Sequence, residues 1–216
     1  MLSNIRFFQT PKFVPLLFPQ LLWRISTTQK KLYLTFDDGP VPGPTEFVLE
    51  VLGSYNIKAT FFCIGDNVQK HPAVFDRLLA EGHSIGNHTF HHVNGWKMDR
   101  AGYVSEMAAC DHVIEKRISK PVLFRPPYGK ITLDQVKSLC AQGKRIVMWD
   151  VLTYDFDRRV SATACLQRSV SASRAGSVIV FHDSLKAEQN LKYALPRYIE
   201  TMLSLNFQFD VLHTHS

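Results

Sequence analysis

The chain has 216 residues, of which 45% are hydrophobic and 20% charged, and a net charge of +6. These values fit one globular domain with a substantial core and exclude a disordered or low-complexity chain. The basic excess is modest and its Lys and Arg are scattered without a block, so no nucleic-acid partner is expected.

Residues 1–30 read as an N-terminal arm. Phe13 to Trp23 is apolar but is interrupted by Pro15 and Pro19. It is too short to span a bilayer as a helix, and it lacks the small-residue cleavage site of a signal peptide. An arm packed against the domain is expected, with a peripheral membrane contact as the lesser reading. The compartment stays open between cytoplasm and export by a non-obvious route.

From Lys31 onward, strand-like and helix-like segments alternate. Lys31–Phe36 predicts a strand, Thr45–Tyr55 a helix with Leu49 and Leu52 on one face, and Lys58–Ile64 a strand. Pro72–Glu81 predicts a helix stopped by Gly82, and His83–Asn87 a short strand. Asp99–Ile118 is the longest predicted helix, with Tyr103, Met107, Cys110 and Ile114 at helical spacing. Pro121–Arg125 follows as a strand, Thr132–Gln142 as a helix ended by Gly143, and Arg145–Val151 as a strand. Ser161–Ser173 (helix), Ser177–His182 (strand), Glu188–Leu205 (helix) and Phe207–Leu212 (strand) complete the series. Such alternation implies a parallel sheet covered by helices, open or closed into a barrel. Asp37, Asp38, His88, Arg125, Asp155 and His182 all lie at or just beyond the C-terminal ends of strands. In a (β/α) barrel those ends face one rim, where six residues scattered in sequence would converge.

The cysteines (Cys63, Cys110, Cys140 and Cys165) form no C-x-x-C pair and suggest neither a zinc cluster nor a disulfide scaffold. Cys63, inside an apolar run, reads as a buried thiol. The histidines are more informative. His88 and His92, at i, i+4, would share a face of one helical turn, and His91 at i+3 is an alternative partner that spacing does not exclude. The pattern is not that of the H-E-x-x-H proteases, because position 89 is Thr rather than Glu. One carboxylate and two imidazoles can hold a divalent metal and leave positions open for water. Asp37 and Asp38 are side by side and both stay ionised only if cations neutralise them. A metal on Asp38 and the Arg125 guanidinium on Asp37 would serve. In Arg125-Pro126-Pro127-Tyr128-Gly129 the two prolines stiffen the loop and present backbone N–H groups at Tyr128 or Gly129.

Thr35-Phe36-Asp37-Asp38-Gly39-Pro40, His88-Thr89-Phe90-His91-His92, Arg125-Pro126-Pro127-Tyr128-Gly129 and Ile179-Val180-Phe181-His182-Asp183, in this order, resemble the polysaccharide deacetylase family, carbohydrate esterase family four. The resemblance runs from about Lys31 to Leu212, within a catalytic domain read as residues 31–213. It implies a single-domain, TIM-barrel-like α/β fold, a distorted (β/α)7 barrel, and metal-dependent removal of acetyl groups from an N-acetylated, GlcNAc-type poly- or oligosaccharide. It implies Asp37 as catalytic base and Asp38, His88 and His92 as ligands of Zn2+, with Co2+ or another divalent ion as substitute. Arg125 would orient the base, and the Tyr128 N–H would be an oxyanion donor. His182 would be the general acid, held protonated by Asp155. Pro126, Tyr128, Phe156 and Phe181 are expected to meet the substrate.

One motif departs from the family pattern D-x-x-D-W. The stretch Leu152-Thr153-Tyr154-Asp155-Phe156 keeps only the second acid, so the acid machinery is expected to persist while the groove wall differs. Peptidoglycan, chitin oligomers, an envelope polysaccharide and O-acetylated xylan all remain open as substrates, the last through O-acetyl ester cleavage. Two further readings compete. A non-haem iron oxygenase also uses two His and one carboxylate but needs no second Asp as base. A catalytically silent carbohydrate-binding homologue would need neither Asp37 nor His182.

Overall fold

The structure is a computed structural model and describes residues 6–213; residues 1–5 of the expected arm lie outside the described residues. The arm holds one short helix, α1 (Phe13–Leu17). The elements that follow are β1 (Lys31–Asp37), α2 (Pro44–Ser54), β2 (Thr60–Cys63), α3 (Gly65–Lys70), α4 (Pro72–Ala80), β3 (Ser84–Asn87) and α5 (Arg100–Ile114). Then come β4 (Leu123–Phe124), α6 (Leu133–Ala141), β5 (Arg145–Ile146), β6 (Val151–Leu152), α7 (Ala162–Ala172), β7 (Val178–His182), α8 (Glu188–Ser204) and β8 (Gln208–Phe209). The strands form one parallel sheet in the order β5-β4-β3-β2-β1-β7-β6, with β8 paired to the start of β1. It curls into a distorted (β/α)7 barrel.

Alternation along β1 divides its side chains between two environments. Leu32, Leu34 and Phe36 pack outward with Phe61, Ile179 and Phe181 against the helices. Tyr33 turns inward with Phe62, Leu123, Val147 and Val178. Both faces are buried, as a parallel sheet requires. Asp37, on the inner face with Tyr33 and Thr35, is therefore delivered to the barrel mouth.

The strand expected over Arg145–Val151 is divided. β5 pairs with β4 and β6 with β7, so residues 147–150 cross from one edge of the sheet to the other. The reason is a buried cation: the carbonyls of Val147 and Met148 accept hydrogen bonds from Arg125 at 3.3 and 3.0 Å. The seam left between the edges is lined by the arm. The Leu22 N–H donates to Ile146 O and the Met148 N–H to Leu22 O, at 2.9 and 2.7 Å. Thr10 N–H reaches Asp150 O at 2.8 Å and Leu152 N–H reaches Phe8 O at 3.0 Å. Edge groups that would invite another chain are thereby satisfied. Other elements also differ from expectation: α3 is an added helix, α5 ends at Ile114 rather than Ile118, and the strands expected over Pro121–Arg125 and Phe207–Leu212 shrink to Leu123–Phe124 and Gln208–Phe209.

A buried ion pair ties α5 to the sheet behind the site. The Lys144 ammonium donates to Asp111 at 2.7 Å and also to the Pro121 carbonyl, and Asp111 accepts from Asn87 at 2.8 Å. Removing one partner leaves a buried charge poorly compensated, since Lys120 approaches Asp111 only to 3.7 Å. Lys144→Ala should therefore lower unfolding free energy by about 3 kcal/mol. Lys192→Ala, which breaks the exposed i,i+4 pair with Glu188, should cost under about 1 kcal/mol. Urea denaturation of both variants checks the contrast.

Candidate active site

The Asp37-Asp38 turn is held from three sides. Arg125 Nη1 donates to Asp37 Oδ1 at 2.7 Å. The Asp38 residue has a φ of 84°, and its carbonyl accepts from the Asn67 side chain on α3 at 2.7 Å. The Gly39 N–H donates to Asp183 Oδ1 at 3.0 Å, and Thr45 Oγ1 lies 2.6 Å from Asp183 Oδ2. A Cβ on residue 39 would fall 2.0 Å from that same Oδ2, so the close approach requires glycine. Burial, reinforced by the Asp38 charge, pushes the Asp183 carboxyl up to about 8.

His88 and His92 do not lie on a helical turn. Residues 88–92 form an irregular bend in which Thr89 has φ 63° and His92 φ 55°. Asn87 explains it: its Oδ1 accepts the Thr89 N–H at 2.8 Å, and its amide donates to Met107 O and to Asp111, both at 2.8 Å. This competition for the backbone is what short amide side chains do best. The His88 Nδ1–H donates to the Arg125 carbonyl at 2.7 Å, which leaves its Nε2 lone pair free. His92 Nδ1 lies 3.1 Å from the Tyr128 hydroxyl. Both Nε2 atoms face Asp38 Oδ1, at 3.9 Å from His88 and 3.3 Å from His92. His91 instead turns outward, its Nδ1 2.9 Å from Glu106.

One donor atom from each of Asp38, His88 and His92 lies within 4.8 Å of the others. Asp38 Oδ1 is buried and has no hydrogen-bond partner among the described residues. An orphaned carboxylate oxygen facing two imidazole nitrogens fits a divalent ion. Burial lowers the His88 pKa, and burial together with the His88 charge lowers His92 to about 4. Both rings are then neutral near pH 7, the form that ligates.

His182 is arranged the opposite way. Its Nδ1–H donates to Asp155 Oδ1 at 2.8 Å, and its backbone N–H to Asp155 Oδ2 at 2.7 Å. Burial alone would depress this imidazole, but the Asp155 carboxylate raises it to about 9. The Phe156 ring meets His182 edge-on, centroids 4.7 Å apart. A pocket of about 470 Å³ runs between the two sides, walled by Tyr128, Trp149, Leu152, Phe156 and Lys186 and floored by Asp38, His88, His92 and His182.

Pro126 and Phe181, expected to meet substrate, are not brought to this pocket. Phe181 is fully buried, 6.2 Å from Phe36 and 5.7 Å from Tyr198. The period-2 rule gives the reason: His182 takes the inner face of β7, so its neighbour must face the helices. Pro126 is buried beneath the loop that exposes Tyr128. His83, near the other histidines in sequence, sits at the opposite end of β3 and accepts the Ala59 N–H at 3.2 Å. The sequence reading missed Trp149, Lys186, Asn67 and Asp183. Asp183 carried a signal, since a carboxylate directly after an apolar strand and its terminal His needs a buried partner. Gly129 carried another: a Cβ there would lie 2.6 Å from the Trp149 ring, and φ is 65°.

A parallel barrel with a His/Asp donor cluster and two separately tuned polar flanks at its strand ends defines the class of (β/α)-barrel enzymes. The family model for polysaccharide deacetylases matches residues 24–147. The chain belongs to that family. It is 38% identical over 152 residues to a peptidoglycan-N-acetylglucosamine deacetylase of Bacillus cereus, covering 70% of this chain and 55% of that one. The chain thus spans about half the length of that relative. It is 33% identical over 173 residues to a chitooligosaccharide deacetylase of Azorhizobium caulinodans, covering 77% and 80%. The crystal structure of a peptidoglycan N-acetylglucosamine deacetylase in complex with 4-naphthalen-1-yl-N-oxidanyl-benzamide superimposes with a TM-score of 0.87 at 32% identity, covering 94% of this chain and 95% of that one.

The opposed environments of the histidines can be read directly. In metal-free protein, the His182 ring should stay protonated through neutral pH and titrate near 9, while His92 should stay neutral down to about 4. Nitrogen-15 NMR of the imidazoles checks this; a neutral His182 at pH 7 would contradict it.

Proposed function

We propose that the chain hydrolyses the N-acetyl group of GlcNAc-type poly- or oligosaccharides, with one divalent ion, zinc by preference, held by Asp38, His88 and His92. The observation that carries this reading is the pairing across the cluster: Asp37 against Arg125 on one side, His182 against Asp155 on the other. Binding alone needs neither pair. The family membership and the deacetylases among the relatives support the choice of an acetylated amino sugar.

A divalent ion bound there supplies Lewis acidity toward the acetyl carbonyl and lowers the pKa of an adjacent water. Asp37 accepts the water's proton at Oδ2, the oxygen that Arg125 does not hold. Arg125 fixes the carboxylate plane through its 2.7 Å bond to Oδ1. The Tyr128 N–H, outside the two hydrogen bonds from Gly129 and Lys130 that close its turn, donates to the carbonyl oxygen as negative charge grows there. An amine leaves readily only when protonated. His182 gives its Nε2 proton to that nitrogen, and Asp155 keeps the ring oriented through Nδ1. Trp149, Leu152 and Phe156 supply an apolar wall for the sugar face.

Acetate release from a panel of acetylated glycans, with and without chelator and added zinc, tests the assignment. Activity that survives complete metal removal would overturn it, and release from O-acetyl xylan alone would reassign the bond cleaved. His92→Ala should lose zinc by calorimetric titration, whereas His91→Ala should retain it. Asp37→Asn should keep zinc and lose roughly two to four orders of magnitude in kcat. A carboxylate that raises the pKa of a general acid extends activity to higher pH. Asp155→Asn should therefore move the alkaline limb of the kcat profile to lower pH, and an unmoved limb would mean that Asp155 does not tune His182.

A further inference from the structure

Among the described residues, eleven large hydrophobic side chains are exposed, and five of them lie within residues 7–18: Phe7, Phe13, Leu16, Leu17 and Phe18. They are not scattered singly, which is the ordinary condition of surface hydrophobics. Four fall on or directly beside α1, a helix with no buried residue, where Leu16 is 79% and Leu17 65% exposed. The segment is nevertheless held in place. Thr10 hydroxyl donates to the Trp149 carbonyl at 2.7 Å before α1, and the Trp23 indole donates to the Phe18 carbonyl at 3.1 Å after it. An ordered segment that leaves its apolar side chains in water is a surface awaiting a partner.

Charge selects that partner. From residue 6 through residue 36 the chain carries Arg6, Lys12, Arg24, Lys30 and Lys31 and no Asp or Glu. Arg6 is neutralised by Asp157 and Lys31 by Asp210. Lys12 and Arg24 have no carboxylate partner among the described residues. Arg168 on α7 joins them, 5.4 Å over the ring of Phe8 and likewise without a carboxylate. We propose that α1 and its flanks are a docking surface for an anionic phospholipid bilayer. Phe13, Leu16, Leu17 and Phe18 enter the interfacial layer, and Lys12, Arg24 and Arg168 meet the headgroups. No helix among the described residues is long and apolar enough to cross a membrane, so the contact is peripheral. Insertion of apolar side chains and attraction of flanking cations are the two components of such binding. A second copy of the chain is the poorer occupant, because it would bring one cationic rim against another.

The test is co-sedimentation of the full chain with vesicles of phosphatidylcholine alone and of phosphatidylcholine with phosphatidylglycerol. Binding is expected to the anionic vesicles and to fall as salt is raised. Leu16→Glu/Leu17→Glu should weaken it by at least about tenfold, and Lys12→Gln/Arg24→Gln/Arg168→Gln should flatten its salt dependence. Circular dichroism melting establishes that both variants are folded. Absence of binding to anionic vesicles, equal binding to neutral ones, or binding unchanged by the double leucine variant would overturn the proposal. A dimer in sedimentation equilibrium that Leu16→Glu/Leu17→Glu dissolves, without vesicle binding, would assign the face to self-association instead.

Discussion

The structure depends on a guanidinium buried in the middle of the barrel. Arg125 is fully inaccessible to water, and a lone charge there would cost several kcal/mol. Its nitrogens donate to Asp37 and Thr35 from β1 and to the carbonyls of Val147 and Met148, and its Cζ lies 4.1 Å from the Phe62 ring centroid. Those bonds pull the chain across the seam and so explain why one expected strand becomes two. They also hold one carboxylate of the Asp37-Asp38 pair in a single orientation. The Arg125 carbonyl, meanwhile, accepts from His88 and sets the tautomer that frees Nε2. One residue thus shapes the seam, the proposed base and one proposed metal donor.

The rim concentrates unfavourable backbone. Asp38, Thr89, His92, Tyr128 and Tyr154 all have positive φ, and each lies in a loop that shapes the site. Conformations of this kind cost of order 1–3 kcal/mol each and persist where surrounding bonds over-determine them. Here those bonds are visible: Asn67 and Asp183 hold the Asp turn, and Asn87 holds the His bend. Burial acts on both flanks, but the partners differ. Burial depresses His88 and, together with the His88 charge, His92, whereas the Asp155 carboxylate at Nδ1 lets His182 keep its charge. The same side-chain chemistry is thereby divided between proposed ligand and proposed proton donor.

The N-terminal arm combines two features within about twenty residues. Its extended stretches pair with residues 146–152 and line the seam of the barrel. Between those stretches, Pro15 and Pro19 confine helix to a short turn, and that turn holds its apolar side chains clear of the core. An arm packed on the domain was the expectation from sequence, with membrane contact the lesser reading. The backbone of the arm is hydrogen-bonded to the domain, and the apolar side chains of α1 stand exposed.

Much of the site was legible because strand ends are local features. An apolar run ending in Asp37-Asp38, one ending in His182, and Arg125 before two prolines each declare a position at the barrel mouth through period and punctuation alone. Two-fold alternation even contained the placement of Phe181 against the helices. Local pattern thus sets the series of βα units and the kinds of groups carried at their ends. Packing of the chain chose which of these groups meet. It turned His91 out toward Glu106 and His92 in toward Asp38, because Asn87 takes the Thr89 N–H and breaks the helical spacing. It brought Trp149 and Asn67 to the site from segments whose local pattern does not mark them. It left α1 uncovered although its composition reads as core. Apart from the local Asn87–Thr89 bond, these placements depend on contacts between residues far apart in the chain.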